Sequence, residues 1–251
     1  MKNGQGDQPM APTSTGATWH NGALIRLRQV TRVYKEGSLE VLALRGVDLD
    51  VAEGEFSALA GPSGSGKTTL LNIIGVLDHP TSGRIEVAGQ DIGGLSRGDA
   101  ADFRLAEVGF IFQAYNRVPV LTAFETAEFT LLLRGVPPQE RRDRVMPLLD
   151  RVGLGDMKDR KPNELSGGQQ QRIAIVRALA TQPAIVLADE PTANLDSDTS
   201  AGLMDLMQEL NQELKTTFLF STHDPLVIGR ARRVIRLLDG RVTGTEDLAS
   251  D

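Results

Sequence analysis

The sequence has no cysteine, few aromatic residues (4%) and no long apolar run. The absence of cysteine excludes disulfide bonds, thiolate metal sites and a cysteine nucleophile, and it fits a reducing compartment. No stretch approaches the roughly 18–20 apolar residues that cross a bilayer. The first 20 residues contain one lysine and no apolar centre, unlike a secretory signal. We therefore expect residues 1–21 to be a flexible tail of a cytoplasmic chain.

The chain of 251 residues is acidic, with 33 Asp and Glu against 27 Lys and Arg and a net charge of −6. Proteins that bind nucleic acid usually present a basic surface, so this balance argues against a nucleic-acid partner. The apolar (40%) and charged (24%) fractions are those of an ordinary globular protein. The length allows one large domain or two small ones.

The hydrophobic pattern changes along the chain. Alternation predicts antiparallel strands at 24–28 and 47–51, whereas short apolar runs at 56–60 and 185–188 are typical of buried parallel strands. Residues 95–165 are dominated by helical patterns instead. Helices are predicted at 67–77, 122–134, 138–152, 169–180 and 197–215. Strands that alternate with helices imply a parallel sheet covered on both faces, here with a helical insertion.

A glycine-rich segment follows the predicted strand at 56–60. Residues 61–68, Gly-Pro-Ser-Gly-Ser-Gly-Lys-Thr, satisfy the phosphate-loop pattern G-x-x-x-x-G-K-[ST]. Glycines let backbone N–H groups surround a phosphate, and the N-terminus of the next helix favours an anion. Lys67 adds positive charge, and the Thr68 hydroxyl is placed to bind Mg²⁺. The residues predicted to bind a nucleoside triphosphate are Gly61, Ser63, Gly64, Ser65, Gly66, Lys67, Thr68 and Thr69.

Two acids, Asp189 and Glu190, follow the apolar run at 184–188. A buried parallel strand would place them at its carboxyl end, where open α/β sheets bind ligands. Consecutive strand residues point to opposite faces, so the two acids have different tasks. Asp189 is predicted to hold Mg²⁺, directly or through water, and Glu190 to orient and deprotonate an attacking water. The alternative is a strand end with two solvated acids.

Further segments identify a family. Leu-Ser-Gly-Gly-Gln at 165–169 resembles the signature motif of the ATP-binding-cassette (ABC) ATPases, and the resemblance extends over residues 24–242. Ser-Thr-His-Asp at 221–224 resembles their switch-histidine segment, and Ala-Asn-Leu-Asp at 193–196 their D-loop. Gln113 stands at the Q-loop position. Tyr34 stands where the family stacks an aromatic ring on adenine.

The resemblance implies a fold and a division of the chain. The fold expected is α/β: a P-loop NTPase (RecA-like) core with an antiparallel β subdomain and an inserted α-helical subdomain. The core with its β subdomain is expected at 22–94 and 166–244, and the helical subdomain at 95–165. A short C-terminal tail is expected at 245–251.

The resemblance also implies roles. Two chains are expected to pair head to tail around two Mg-ATP, with Ser166, Gly167, Gly168 and Gln169 contacting the γ-phosphate held by the partner's loop. For Ser166 the structural alternative is an N-cap that satisfies free N–H groups, and both can hold at once. Catalytic roles are expected for Glu190, His223, Lys67 and Gln113, and Mg²⁺ contacts for Thr68, Gln113 and Asp189.

Within the family, the segments 70–75, 109–116 and 119–123 and the glutamines at 169–171 resemble the branch that contains the lipoprotein-release (LolD) and macrolide-export (MacB) ATPases. The expected partner is an integral membrane permease of the MacB/FtsX type, with the chain peripheral on the cytoplasmic face of the inner membrane. The transport expected is export or extraction of lipoproteins, lipids, peptides or macrolides. An alternative is a mechanical ATPase like the cell-division protein FtsE, which does not transport.

Two other classes of ATPase are further alternatives. Chromosome and DNA-repair ATPases share the signature motif but carry long heptad insertions, which residues 95–165 lack. The absence of cysteine neither supports nor excludes an iron–sulfur assembly ATPase. Residues 114–122, with Tyr115, Val118, Val120 and Leu121, are the candidate docking segment for a membrane partner, and ordinary subdomain core is the alternative.

Overall fold

The computed structural model of the protein describes residues 22–37, 39–112 and 119–248. The predicted tail at 1–21, Gln113 and most of the candidate docking segment, including Tyr115 and Val118, lie outside these ranges. Within them, no helix has the length and apolar character needed to cross a bilayer.

The described chain forms two sheets. Its strands are β1 (Ala23–Glu36), β2 (Leu39–Ala52), β3 (Phe56–Ala60), β4 (Ser82–Val87), β5 (Gln90–Asp91), β6 (Val108–Ile111), β7 (Ile185–Asp189), β8 (Thr217–Thr222), β9 (Arg233–Leu238) and β10 (Arg241–Asp247). An antiparallel sheet has the order β2-β1-β4-β5, and a six-stranded sheet has the order β10-β9-β3-β8-β7-β6. In the larger sheet all neighbours are parallel except β10, which pairs antiparallel with β9.

Helices cover the larger sheet. They are α1 (Lys67–Ile74), α2 (Arg97–Glu107), α3 (Ala123–Leu133), α4 (Pro138–Arg151), α5 (Gly167–Leu179), α6 (Ser197–Leu214) and α7 (Pro225–Ile228), with 3₁₀ turns at Gly155–Met157 and Pro162–Glu164. The predicted α/β fold class, with an antiparallel sheet and a parallel-containing sheet, is confirmed.

The core lies on both faces of the parallel strands. Phe56 and Ala58 on β3 pack on one face with Phe220 on β8, while Leu59 packs on the opposite face with Leu219. All five residues of β3 are buried. Burial on two faces explains why this strand is a continuous apolar run rather than an alternating one.

Within 95–165, helix α2 packs directly on β6, whereas α3 and α4 join the core through α5. On α3, Ala123, Ala127 and Leu131 recur every four residues and are buried, which forms one apolar stripe against the core. A nearly buried ion pair links α3 to α4, where Arg141 Nε lies 2.6 Å from Glu128 Oε2. These contacts place the helical insertion beside the sheet.

Several elements differ from the sequence prediction, and β1 and β2 extend well beyond the predicted 24–28 and 47–51. Helix α1 ends at Ile74 because the backbone of Val76 has a φ of 56°, which a right-handed helix excludes. Helix α5 begins at Gly167, two residues early, because the side chain of Ser166 caps it. Strand β10 was not predicted, since most of its side chains are exposed and alternate weakly, and it runs to Asp247 within the range expected to be a tail.

The turn between β9 and β10 packs against the phosphate loop. Asp239 (φ 47°) and Gly240 (φ 72°) both have the positive φ of a two-residue I′ hairpin turn. The N–H of Gly240 donates to Ser65 O at 2.9 Å, and its carbonyl accepts from Arg45 N at 2.8 Å. A Cβ at Gly240 would lie 2.4 Å from Ala43 O. Only glycine therefore fits between β2 and the loop.

We expect Gly240→Ala to destabilise the protein more than Gly89→Ala. Both glycines have a φ above 70°, but nothing lies within 4 Å of a Cβ at Gly89. Gly89→Ala isolates the cost of the left-handed backbone, about 1 kcal/mol, and Gly240→Ala adds a backbone clash of about 1–3 kcal/mol. Urea unfolding measures both losses. Equal losses would contradict the tight packing of this turn.

Candidate functional site

The phosphate loop connects β3 to α1 in a conformation that requires glycine. Gly64 has a φ of 78° and Gly66 a φ of 103°, both in the region that glycine tolerates best. A Cβ at Gly61 would lie 2.1 Å from Leu237 O, and one at Gly66 would lie 2.8 Å from Ala43 O. The loop therefore curls tightly between β2 and β9 and ends at the N-terminus of α1.

Lys67 and Ser65 supply the polar interior of this loop. The Lys67 side chain folds back so that Nζ donates to Gly61 O at 2.8 Å and to Pro62 O at 3.1 Å, with only 7% of the residue exposed. Ser65 Oγ is buried and has no hydrogen-bond partner among the residues that the structure describes. A buried hydroxyl without a partner fits a phosphate oxygen.

Asp189 and Thr68 form an oxygen-rich pair at the end of β7. Thr68 Oγ1 lies 3.1 Å from Asp189 Oδ2 and 3.2 Å from Oδ1. Carboxylate and hydroxyl oxygens are ligands that Mg²⁺ prefers, and Mg²⁺ usually completes its shell with waters and substrate phosphates. In the described ranges no group of three or more His, Cys, Asp or Glu could hold a metal alone. The donor set therefore fits Mg²⁺ held jointly with a bound phosphate.

Glu190 and His223 are brought together beside this pair. His223 Nδ1 lies 2.9 Å from Glu190 Oε1. The His223 side chain is 70% exposed, whereas that of Glu190 is 17% exposed. Glu190 has a φ of 47°, which is uncommon for a residue other than glycine. The structure thus places a carboxylate and an imidazole together at the strand ends.

The Ser166 segment forms a complete capping box at the start of α5. Gln169 N donates to Ser166 Oγ at 3.3 Å, and Ser166 N donates to Gln169 Oε1 at 2.9 Å. The structural alternative for Ser166 is therefore observed. The helix N-terminus still presents backbone N–H groups that can bind an anion. Gly168 packs closely on α6, because a Cβ there would lie 2.6 Å from Thr199 Cγ2.

Asp196, in the segment that resembles the D-loop, caps α6. Thr199 donates twice to its carboxylate, through the backbone N–H at 2.9 Å and the hydroxyl at 2.7 Å. The hydrogen bond from the Thr199 N–H and then that from its hydroxyl lower the pKa of Asp196 below its ordinary value. The carboxylate is therefore held ionised where α6 approaches α5.

Tyr34 is exposed near the end of β1, and two residues fix its ring. The Arg32 guanidinium lies over the ring, 4.5 Å from its centroid, and Tyr34 Oη donates to Asp78 Oδ2 at 2.7 Å. Arg32 also forms an ion pair with Asp78 at 2.6 Å. One face of the ring is thus covered by Arg32. A base can stack only on the other face.

The structure brings some predicted residues together and leaves others apart. Lys67, Thr68, Asp189, Glu190 and His223 share one edge of the larger sheet. In the described part of the chain, the side chains of Ser166 and Gln169 form hydrogen bonds with each other's backbone N–H groups, and Gln169 also bonds to Met157. These bonds do not join them to the group at the strand ends. Val120 of the candidate docking segment is 70% exposed.

The sequence predicted no individual role for two residues that contact the segment 189–191. Ser221 Oγ donates to Asp189 Oδ1 at 2.5 Å, and Gln171 Nε2 donates to Pro191 O at 2.6 Å. Both stand inside recognised motifs, at 221–224 and 169–171. No sequence signal separated them from their neighbours, because their importance depends on contacts between elements distant in sequence.

Comparisons with known proteins show the family of the chain. The family model described as ABC transporter matches residues 44–193. An uncharacterized ABC transporter ATP-binding protein of Thermotoga maritima is 44% identical over 223 residues, which cover 89% of this chain and 95% of the relative. The macrolide export ATP-binding/permease protein MacB of Syntrophobacter fumaroxidans is 47% identical over 86% of this chain, which spans only 31% of that relative.

One solved structure of an ATP-binding cassette is similar to this chain over the whole length of that cassette. The dimeric structure of the ATP-binding cassette MJ0796, in a post-hydrolysis state bound to ADP and Pi, matches with a TM-score of 0.82 and 42% identity. The match covers 90% of this chain and 100% of that one.

We expect Lys67→Met to weaken ATP binding by about 10–150-fold. The substitution keeps the apolar stem but removes the charge, and a hydrogen bond to a charged group contributes about 1.5–3 kcal/mol. Titration calorimetry measures the Kd for ATP. Lys158→Met, on a 30% exposed lysine side chain away from the loop, is the control and should bind normally. Unchanged affinity in Lys67→Met would contradict a direct contact with phosphate.

Proposed function

Because the chain belongs to the ABC transporter family, whose ATP-binding cassettes are ATPases, we propose that it is the ATP-hydrolysing subunit of a transport complex. In this proposal two copies pair head to tail around two Mg-ATP and drive a separate membrane permease. The observation that supports it most strongly is the meeting of the phosphate loop, Asp189, Glu190 and His223 at one sheet edge.

The phosphate loop binds the triphosphate in this proposal. Backbone N–H groups of the loop and the start of α1 surround the β- and γ-phosphates, and the Lys67 ammonium exchanges its two carbonyl partners for phosphate oxygens. The free face of the Tyr34 ring stacks on adenine. The assigned phosphate-binding residues are Gly61, Ser63, Gly64, Ser65, Gly66, Lys67, Thr68 and Thr69.

Thr68 and Asp189 hold Mg²⁺, directly or through water, together with Gln113, which lies outside the described residues. When bound, Mg²⁺ neutralises charge on the phosphate oxygens. Glu190 accepts a proton from the attacking water as the water oxygen bonds to the γ-phosphorus. The bond from that phosphorus to the bridging oxygen breaks, and ADP and phosphate leave. His223 orients the Glu190 carboxylate and contacts the γ-phosphate.

The second copy supplies the start of α5. One chain contains one phosphate loop, yet Ser166, Gly167, Gly168 and Gln169 form another helix N-terminus that favours an anion. We assign it to the γ-phosphate held by the other copy, as the dimeric state of MJ0796 suggests. In this proposal the helices within 95–165 act as a helical subdomain that presents this segment, and the core is formed by 22–94 and 166–244 together with β6, which pairs with β7 in the larger sheet.

We expect Glu190→Gln to bind ATP, to lose about 10²–10⁴-fold in hydrolysis rate and to accumulate as an ATP-bound dimer. The substitution keeps the shape of the side chain but removes the base. Phosphate release measures the rate, and light scattering with Mg-ATP measures the mass.

Glu209→Gln, on the half-exposed face of α6, is the matched control and should hydrolyse ATP normally. Near-normal hydrolysis by Glu190→Gln would remove Glu190 from the role of base. A mass that stays monomeric would contradict the head-to-tail pair.

This chain has a cleft beside Phe112 that is a candidate docking site for a membrane partner. The cleft has a volume of about 390 Å³ and lies between α2, β6 and α3. Its apolar lining includes Leu77, Leu105, Phe110, Phe112, Phe129 and Leu133. Leu77, Phe129 and Leu133 are each more than a third exposed, and exposed apolar patches of this kind mark interaction sites. We assign the cleft to the membrane partner as its docking site.

The permease is proposed to be of the MacB/FtsX type, with the chain peripheral on the cytoplasmic face of the inner membrane. The MacB relative is named an ATP-binding/permease protein, and this chain matches 31% of its length. The Thermotoga relative is named an ATP-binding protein, and this chain matches 95% of its length. Lipoproteins, lipids, peptides or macrolides are the proposed substrate classes. A mechanical, FtsE-like function is the alternative, and the partner that co-purifies from membranes decides between them.

We expect Leu133→Glu to abolish recovery with the membrane partner while the purified chain keeps its basal ATPase rate. A carboxylate in the apolar cleft loses its hydration when the partner covers it. Leu214→Glu, on an exposed leucine of α6 outside the cleft, is the control and should still co-purify. Recovery of the Leu133→Glu chain at the wild-type level would contradict the assignment of the cleft.

A further inference from the structure

The backbone at Glu190 adopts a conformation that its surroundings must maintain. Glu190 follows the last residue of β7 and precedes Pro191, and its φ of 47° lies in the left-handed region. A side chain other than glycine occupies that region at an energetic cost, and it stays there only where neighbouring groups hold it. The same backbone conformation sets the direction of the Glu190 carboxylate. The backbone at Glu190 and Pro191 is called the Glu190 turn below. The groups that hold this turn therefore determine where the carboxylate points.

Ser221 holds the turn from the side of β8. It is fully buried and lies opposite Asp189 in the parallel pairing of β7 and β8. Its Oγ donates to Asp189 Oδ1 at 2.5 Å and accepts from Glu190 N at 3.2 Å. The carbonyl of Ser221 also accepts from Glu190 N at 3.2 Å. One buried residue thus fixes the side chain of Asp189 and the backbone of Glu190.

Gln171 holds the turn from the side of α5. It is 2% exposed, and its Nε2 donates to Pro191 O at 2.6 Å. Its Oε1 is buried without a hydrogen-bond partner in the part of the chain that the structure describes. The bond from Nε2 to Pro191 O is therefore the hydrogen bond of this buried amide that the structure describes. The bond joins the helix that starts after Ser166 to the residue next to Glu190.

We propose that Ser221 and Gln171 are positioning residues that hold the Glu190 turn from both sides and so orient the carboxylate toward the attacking water. The inference rests on the proposed role of Glu190 as the base. Neither residue is assigned a contact with nucleotide. Gln171 acts through the backbone next to Glu190, and Ser221 acts through the Glu190 backbone and the Asp189 carboxylate. We therefore expect the loss of either residue to lower turnover more than ATP affinity.

The test uses Ser221→Ala and Gln171→Met in the full chain. Both remove the bonding group without adding bulk to a buried site. We expect kcat to fall on the order of 10–100-fold, since small misplacement of a catalytic group has effects of that size. The KM for ATP should stay within about twofold of wild type. Ser221→Thr keeps the hydroxyl and should recover most of the lost rate.

Matched controls come from two buried polar residues near the amino-terminal ends of the parallel strands, opposite to the end where Glu190 lies. Thr217 Oγ1 on β8 accepts from Gly54 N at 2.8 Å, and Asn211 Nδ2 donates to Gly54 O at 3.0 Å and to Thr216 O at 2.8 Å. Thr217→Val and Asn211→Leu remove similar bonds far from Glu190. They should lower the thermal midpoint without lowering kcat.

A double-mutant cycle separates positioning from a general structural effect. Single-turnover rates are measured for Glu190→Gln alone and combined with Ser221→Ala or Gln171→Met. If the two residues act through Glu190, the second substitution causes little further loss. Additive losses, or a kcat within threefold of wild type in both single variants, would overturn the inference.

The outcomes also separate this inference from the proposed function. Normal hydrolysis by Glu190→Gln would refute the role of Glu190 itself. Loss of hydrolysis by Glu190→Gln with full turnover in Ser221→Ala and Gln171→Met would refute only the positioning role. If Ser221→Ala does not fold, Gln171→Met decides the question alone.

Discussion

The parallel pairing of β8 between β3 and β7 is the constraint on which the site depends. Ala60 at the end of β3 lies opposite Thr222, and Asp189 at the end of β7 lies opposite Ser221. The phosphate loop starts one residue after Ala60. Likewise, Glu190 follows Asp189 directly, and His223 follows Thr222 directly. A shift of one residue in either pairing would turn the side chains to the opposite faces and separate the groups. Burial of the strands on both faces keeps the register fixed.

The antiparallel sheet and the helical insertion attach to this edge from different directions. The I′ turn at Gly240 contacts both β2 and the phosphate loop, so the smaller sheet supports the loop from outside. Helix α5 contacts the segment after Glu190 through Gln171. The helix that begins at Ser166 is therefore connected to the acids of its own chain, while its N-terminus is assigned to the nucleotide of another copy.

Much of this arrangement could be predicted from local sequence patterns, and the rest depends on distant contacts. The apolar run before Gly61 and the acids after residue 188 predicted a sheet edge with a phosphate loop, because buried strands and glycine-rich turns have strong local signals. Strand β10 has no such signal, since its side chains are mostly exposed. The positive φ of Glu190 and the contacts of Ser221 and Gln171 arise only after β7, β8 and α5 have packed.

The central claim is that ATP lies between the phosphate loop of one copy and the Ser166 segment of the other. The absence of cysteine permits a direct measurement, in which one chain carries Ser63→Cys and another carries Ser166→Cys, both with Glu190→Gln. Mixing the two chains with Mg-ATP under mild oxidation should give a disulfide-linked dimer on a denaturing gel, and neither chain alone should give one. A mixture that stays unlinked with ATP, or links equally without it, would contradict the account.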